Sequence, residues 1–141
     1  MTNSWEETRS AGERIGKGLS KGDFLALKGP LGAGKTCFIK GIARFLQIQE
    51  EITSPTYTII SEYEAILPSK EKVAFYHIDA YRLEGDDDFA AMGGEEYFGK
   101  NSITVVEWGE KIKKSLPAGT IYAEIEILDG NSRCIRVGSW K

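Results

Sequence analysis

One histidine, His77, and two cysteines, Cys37 and Cys134, are the only residues of those types in the 141-residue chain. No second His and no neighbouring Cys completes a tetrahedral set, so a metal centre built on histidine is not expected. Two cysteines, one of them inside a glycine-rich element, make no disulfide framework, and both are expected as reduced thiols. No apolar run approaches the length of a membrane span. Residues 1–10 are polar and acidic rather than basic and then apolar, which argues against a secretory signal and makes the cytoplasm the default location. Positive charge is not in excess either: 18 Lys and Arg against 21 Asp and Glu leave a net charge of −3. Such a surface does not bind a polyanion extensively on its own, so any nucleic acid is expected to be held through partners. Internal repeats and low-complexity linkers are missing, and the length suits one domain spanning 1–141.

Glycine, by contrast, is concentrated where it has a use. Gly29, Gly34, Lys35 and Thr36 complete a G-x-x-x-x-G-K-T sequence directly after the apolar run Phe24, Leu25, Ala26 and Leu27. A glycine-rich turn between a strand and a helix lets consecutive backbone N–H groups converge on phosphate oxygens without side chains in the way. Lys35 supplies a point charge for the β- and γ-phosphates, Thr36 a hydroxyl for Mg²⁺, and the helix that starts here directs its positive end at the same anion. The chain is therefore expected to bind a nucleoside triphosphate through Gly29, Leu31, Gly32, Ala33, Gly34, Lys35, Thr36 and Cys37, with Cys37 packed behind the loop, away from metal. No N-K-x-D segment of the guanine-reading type is present, which favours adenine.

Ser4 and Glu7 have the spacing of a capping box, and Thr8, Ala11, Ile15 and Leu19 recur at helical spacing, predicting a first helix that ends near Gly18 or Gly22. A buried strand over 23–28 and a helix over 35–46 flank the loop. Strands are predicted over 57–63, 73–79 and 103–107, with a polar turn over 65–71 and a helix over 108–115 that Pro117 stops. Residues 121–128 and 133–137 enclose Asp129, Gly130 and Asn131 and read as a terminal hairpin. The expected fold is a P-loop NTPase-like α/β three-layer sandwich with a partly parallel central sheet and a C-terminal antiparallel hairpin.

Hydrolysis needs more than phosphate binding. Glu107 ends the strand Ile103, Thr104, Val105, Val106, at the carboxyl edge where ligands of an open α/β sheet gather; it reads either as a Walker-B-type acid or as an acidic start to the next helix. Asp79 ends another strand, within His77, Ile78, Asp79, Ala80, Tyr81 and Arg82. It could hold a metal-bound water or position the nucleophile, with Arg82 on phosphate, or the two could simply pair at a strand end. A lone histidine on a strand is more often packed and hydrogen-bonded than catalytic, and His77 is read as structural or, alternatively, as a phosphate contact. Thr53, Ser54 and Thr56, around Pro55, suit a switch that senses the γ-phosphate, or a turn that sets the next strand. The run Glu84, Asp86, Asp87 and Asp88 is read as solvated surface.

Taken in order, Gly29 to Thr36, Thr53-Ser54-Pro55-Thr56-Tyr57, His77-Ile78-Asp79-Ala80-Tyr81-Arg82-Leu83, Glu95-Glu96-Tyr97-Phe98-Gly99 and Val105-Val106-Glu107-Trp108 resemble the bacterial TsaE (YjeE) family over nearly the whole chain. That resemblance implies a small Mg²⁺-dependent ATPase of tRNA threonylcarbamoyladenosine synthesis, acting with TsaB and TsaD and resetting that pair between turnovers. It implies Lys35 and Thr36 on nucleotide and Mg²⁺, Glu107 and Asp79 at metal or attacking water, and Thr56 in the switch. Pro30 stands where the family often has an acidic residue, Cys37 where it often has Thr, and the acidic helix before Glu95 is shortened. A small-molecule kinase and a non-hydrolysing nucleotide sensor are the competing functions.

Overall fold

The computed structural model describes residues 1–50, 52, 60–97, 99 and 101–138. Its centre is a six-stranded mixed sheet in the order β2-β3-β4-β1-β5-β6, formed by β1 (Phe24–Lys28), β2 (Ile60–Ile66), β3 (Lys72–Asp79), β4 (Ser102–Glu107), β5 (Ile121–Ile127) and β6 (Arg133–Val137). The inner strands β3, β4, β1 and β5 run parallel, while β2 and β6 join the two edges antiparallel. β4 is buried along its whole length and β1 along all but Lys28, as expected of parallel strands covered on both faces.

Alternation along those strands divides the core in two. Leu25, Leu27, Phe75, Ile103 and Val105 face α1 (Trp5–Lys17) and α2 (Lys35–Phe45). Phe24, Ala26, Ile78 and Val106 face the other way, onto Phe89 of α3 (Asp86–Ala91) and Ile112. The result is the three-layer α/β sandwich expected from the order of elements.

α1 begins as predicted, with Ser4 Oγ accepting the Glu7 N–H at 3.1 Å, and is capped at Gly18. It crosses α2 at backbone contact: a Cβ on Gly12 would lie 2.0 Å from the Phe38 carbonyl oxygen, and one on Gly41 1.9 Å from that of Arg9. Only residues without a side chain fit there.

Some boundaries differ from expectation. β2 continues to Ile66, two residues into the predicted turn, because Ala65 and Ile66 still pair with Val73 and Lys72. Its expected start at 57–59 lies outside the described residues. The segment Gly109–Ser115 is a 3₁₀ helix broken at Ile112 (φ −125°), not an α-helix, since Ile112 is drawn into the core beneath α3. Among the described residues no helix is long and apolar enough to cross a membrane.

Candidate nucleotide site

The carboxyl ends of the parallel strands meet at one edge of the sheet. Leu27 of β1 and Asp79 of β3 are both in register with Glu107 of β4, so the loop that leaves β1 passes beside two carboxylates from separate strands. The loop then enters α2 through Gly34, whose φ of 101° is left-handed backbone that favours glycine. A cleft of about 440 Å³ opens here, a volume suited to a nucleotide. One side of it is made by the loop and the start of α2, from Leu31 to Cys37, with Trp5; the other by Asp79, Tyr81, Arg82, Glu107 and Trp108.

Among the described residues, those predicted for the site are brought together with two exceptions. Gly29 lies beneath the loop, where its carbonyl oxygen accepts from Lys35 Nζ and a Cβ would approach the Ile125 carbonyl oxygen to 2.8 Å. His77 is fully buried behind Glu107. Thr53, Ser54 and Thr56, the expected switch, lie outside the described residues.

Lys35 is 5% exposed. Its ammonium also donates to the Pro30 carbonyl at 3.0 Å and sits 4.0 Å from the centroid of the Trp108 ring. Burial pulls its pKa below the ordinary lysine value, against the raising influence of Glu107, Glu110 and Asp79. Glu107 is held at both oxygens. His77 Nε2–H donates to Oε2 at 2.6 Å and the Thr36 hydroxyl donates to Oε1 at 3.4 Å. A carboxylate only accepts, so the proton of that bond is on Nε2, and Nδ1 is buried with no hydrogen-bond partner. His77 is packed and hydrogen-bonded, and its partner is the candidate acid. Glu107 does not cap the following helix; Trp108 occupies that position, in left-handed backbone (φ 59°) that turns its ring back over Lys35.

Asp79 is half-buried and accepts the Tyr81 N–H at 3.0 Å. Burial raises its carboxyl above the usual range, the Tyr81 N–H lowers it, Glu107 raises it further, and His77 and Lys35 pull the other way. Cys37 departs from expectation. It lines the cleft, and its thiol, with a pKa raised by burial, donates to the Trp5 carbonyl at 3.2 Å.

Thr36, Glu107 and Asp79 supply only oxygen donors, the chemistry of Mg²⁺ rather than of a softer metal. Among the described residues no group of three or more His, Cys, Asp and Glu side chains is arranged to hold an ion. Mg²⁺ typically takes one or two protein ligands, with phosphate oxygens and water as the rest, so this sparse set fits it.

A family model described as "Threonylcarbamoyl adenosine biosynthesis protein TsaE" matches residues 2–135. The chain belongs to the TsaE family. It is 39% identical over 132 residues to a protein of Treponema pallidum called tRNA threonylcarbamoyladenosine biosynthesis protein TsaE, covering 93% of each chain. A protein of the same name from Aquifex aeolicus is 38% identical over 139 residues, covering 97% of this chain and 92% of the relative. The crystal structure of Bacillus subtilis YdiB superposes with a TM-score of 0.71 at 34% identity, over 94% of this chain and 78% of that one.

In this TsaE-family chain Arg133 and Trp5 were not singled out from sequence as site residues. Arg133, at the start of β6 and 5% exposed, reaches behind the loop, where Nε donates to the Ala33 carbonyl at 3.0 Å and Nη2 to that of Gly32 at 3.1 Å. Nη1 donates to the carbonyls of Asp129, Gly130 and Ser132. The available signal was an arginine opening a hairpin strand at a position whose pleat faces inward; nothing in the spacing linked it to a loop a hundred residues earlier.

Proposed function

We propose that this TsaE-family chain is a Mg²⁺-dependent ATPase that serves as an accessory in threonylcarbamoyladenosine modification of tRNA, using ATP binding and hydrolysis to reset a TsaB–TsaD transferase pair. The observation that carries the ATPase reading is the convergence of Lys35, Thr36, Glu107 and Asp79 on one cleft at the carboxyl edge of the sheet. The family carries the pathway.

In this reading the N–H groups from Leu31 to Cys37 bind the phosphate chain, and Lys35 exchanges its carbonyl partners for β- and γ-oxygens. Thr36 and Glu107 would hold Mg²⁺, which when bound would supply positive charge to offset that of the phosphates. His77 fixes the rotamer of Glu107 from behind. Asp79, whose burial raises its affinity for a proton, suits the orientation of the attacking water, with Arg82 at the γ-phosphate. Net negative charge makes contact with tRNA indirect, through the partner pair.

The test is phosphate release from ATP by the protein alone and with a purified TsaB–TsaD pair, with Glu107→Ala as control. Stimulation by the pair, lost in the variant, is the expected result. A complex that forms without stimulating release would make the chain a nucleotide-gated binder, and phosphate appearing on a metabolite would make it a kinase.

A further inference from the structure

Successive residues in the first turn of α2 face opposite ends of the cleft. Thr36 turns its hydroxyl to Glu107, whereas Cys37 turns its thiol to the Trp5 carbonyl. The lysine and hydroxyl residue of a phosphate loop serve the β- and γ-phosphates and their metal, so the Glu107 end belongs to the terminal phosphate. The nucleoside, attached through the α-phosphate, must then leave past Cys37, and the side chain waiting there is Trp5.

Trp5 is 52% exposed although it lines the cleft. It is also held in place. The edge of its ring packs on Gly34, with Cζ3 2.9 Å from where a Cβ would stand, and the Arg133 guanidinium lies 5.2 Å from the ring centroid. That guanidinium is itself anchored to the Gly32 and Ala33 carbonyls, so the indole and the loop share one support. An aromatic face fixed in advance at the mouth of a cleft is what base stacking requires, because no ordering cost falls on binding.

We propose that Trp5 is the stacking platform for the purine ring of the bound nucleotide. This rests on the nucleotide reading of the same cleft. The experiment is isothermal titration of ATP and of inorganic tripolyphosphate, both with Mg²⁺, into the wild type, Trp5→Ala and Trp5→Phe. ATP affinity is expected to fall about tenfold in Trp5→Ala and to recover largely in Trp5→Phe, the range for loss of one base–aromatic stack. Tripolyphosphate affinity is expected to stay the same in all three proteins, which also shows that the loop is intact. Unchanged ATP affinity in Trp5→Ala, or an equal loss for both ligands, overturns the platform. A wild type that binds tripolyphosphate as tightly as ATP removes the base subsite and leaves the phosphate loop standing; one that binds neither sinks both readings.

Discussion

The two sides of the phosphate loop are built by opposite means. On the cleft side, ionisable groups are packed together at a cost: burial shifts Lys35 down and Asp79 up, and Glu110, near enough to act on Lys35, is also shifted up by burial, with its Oε1 unpartnered. Behind the loop, Arg133 is equally buried, yet its donors meet carbonyl oxygens of the loop and of the hairpin turn. At the front the carbonyls that Lys35 meets, those of Gly29 and Pro30, are ones a bound phosphate would have to replace. At the back Arg133 ties carbonyls of the loop and of the hairpin turn together and gives the loop its shape. A site of this kind separates chemistry from support, and the two should fail differently.

The largest expected effect is at the front. Lys35→Ala removes the positive charge nearest the β- and γ-phosphates, and ATP turnover should fall on the order of 100-fold or more. The melting temperature should hold or rise, since a partly desolvated ammonium is lost. A variant that melts early would mean that Lys35 also supports the fold, and the contrast would break. Next comes Arg133→Met, which keeps bulk but leaves the loop carbonyls without donors. A stability loss of about 3 kcal/mol in denaturant unfolding is expected, with weaker ATP and tripolyphosphate binding together. Full stability with a loss confined to turnover would move Arg133 to the catalytic side.

The smallest effect sharpens the comparison through pH. Because burial raises the Asp79 carboxyl, the folded protein keeps that proton to higher pH than the unfolded chain does. Stability therefore falls as pH rises from the ordinary carboxylate range through the raised value. Asp79→Asn keeps an acceptor for the Tyr81 N–H and removes the ionisation. Its melting temperature should exceed that of the wild type by a few degrees near about pH 7, with the difference closing toward about pH 4. A difference that stays constant across that range would show that Asp79 is not strained by burial.

How much of this was legible depended on where each residue sits in the chain. Lys35 and Thr36 close a glycine-rich motif, Asp79 and Glu107 end short apolar runs, and a strand that ends in a carboxylate carries its own signal. Arg133 opens an edge strand and Trp5 a helix whose one local signal is the Ser4–Glu7 cap, and the two come together at the loop where the first residues bridge β6: Thr2 pairs with Arg133, and the Thr2 hydroxyl bonds to that of Thr8 on α1. The helix after Glu107 was legible, but its 3₁₀ form and its break at Ile112 were not, because the burial of Ile112 is a tertiary effect.

Local chemistry alone determined that a glycine-rich loop would follow β1, that an acid would end β4, and that strands and helices would alternate around a partly parallel sheet. Those are properties of spacing and of residue type, and they survive in a linear string. Tertiary structure decided that His77 would lock Glu107, that Trp108 would cover Lys35, and that Arg133 would brace the loop from behind while it lies against Trp5 at the cleft. Each of those contacts joins residues distant in sequence through strand register or helix crossing, and register is set by the packing of the whole sheet.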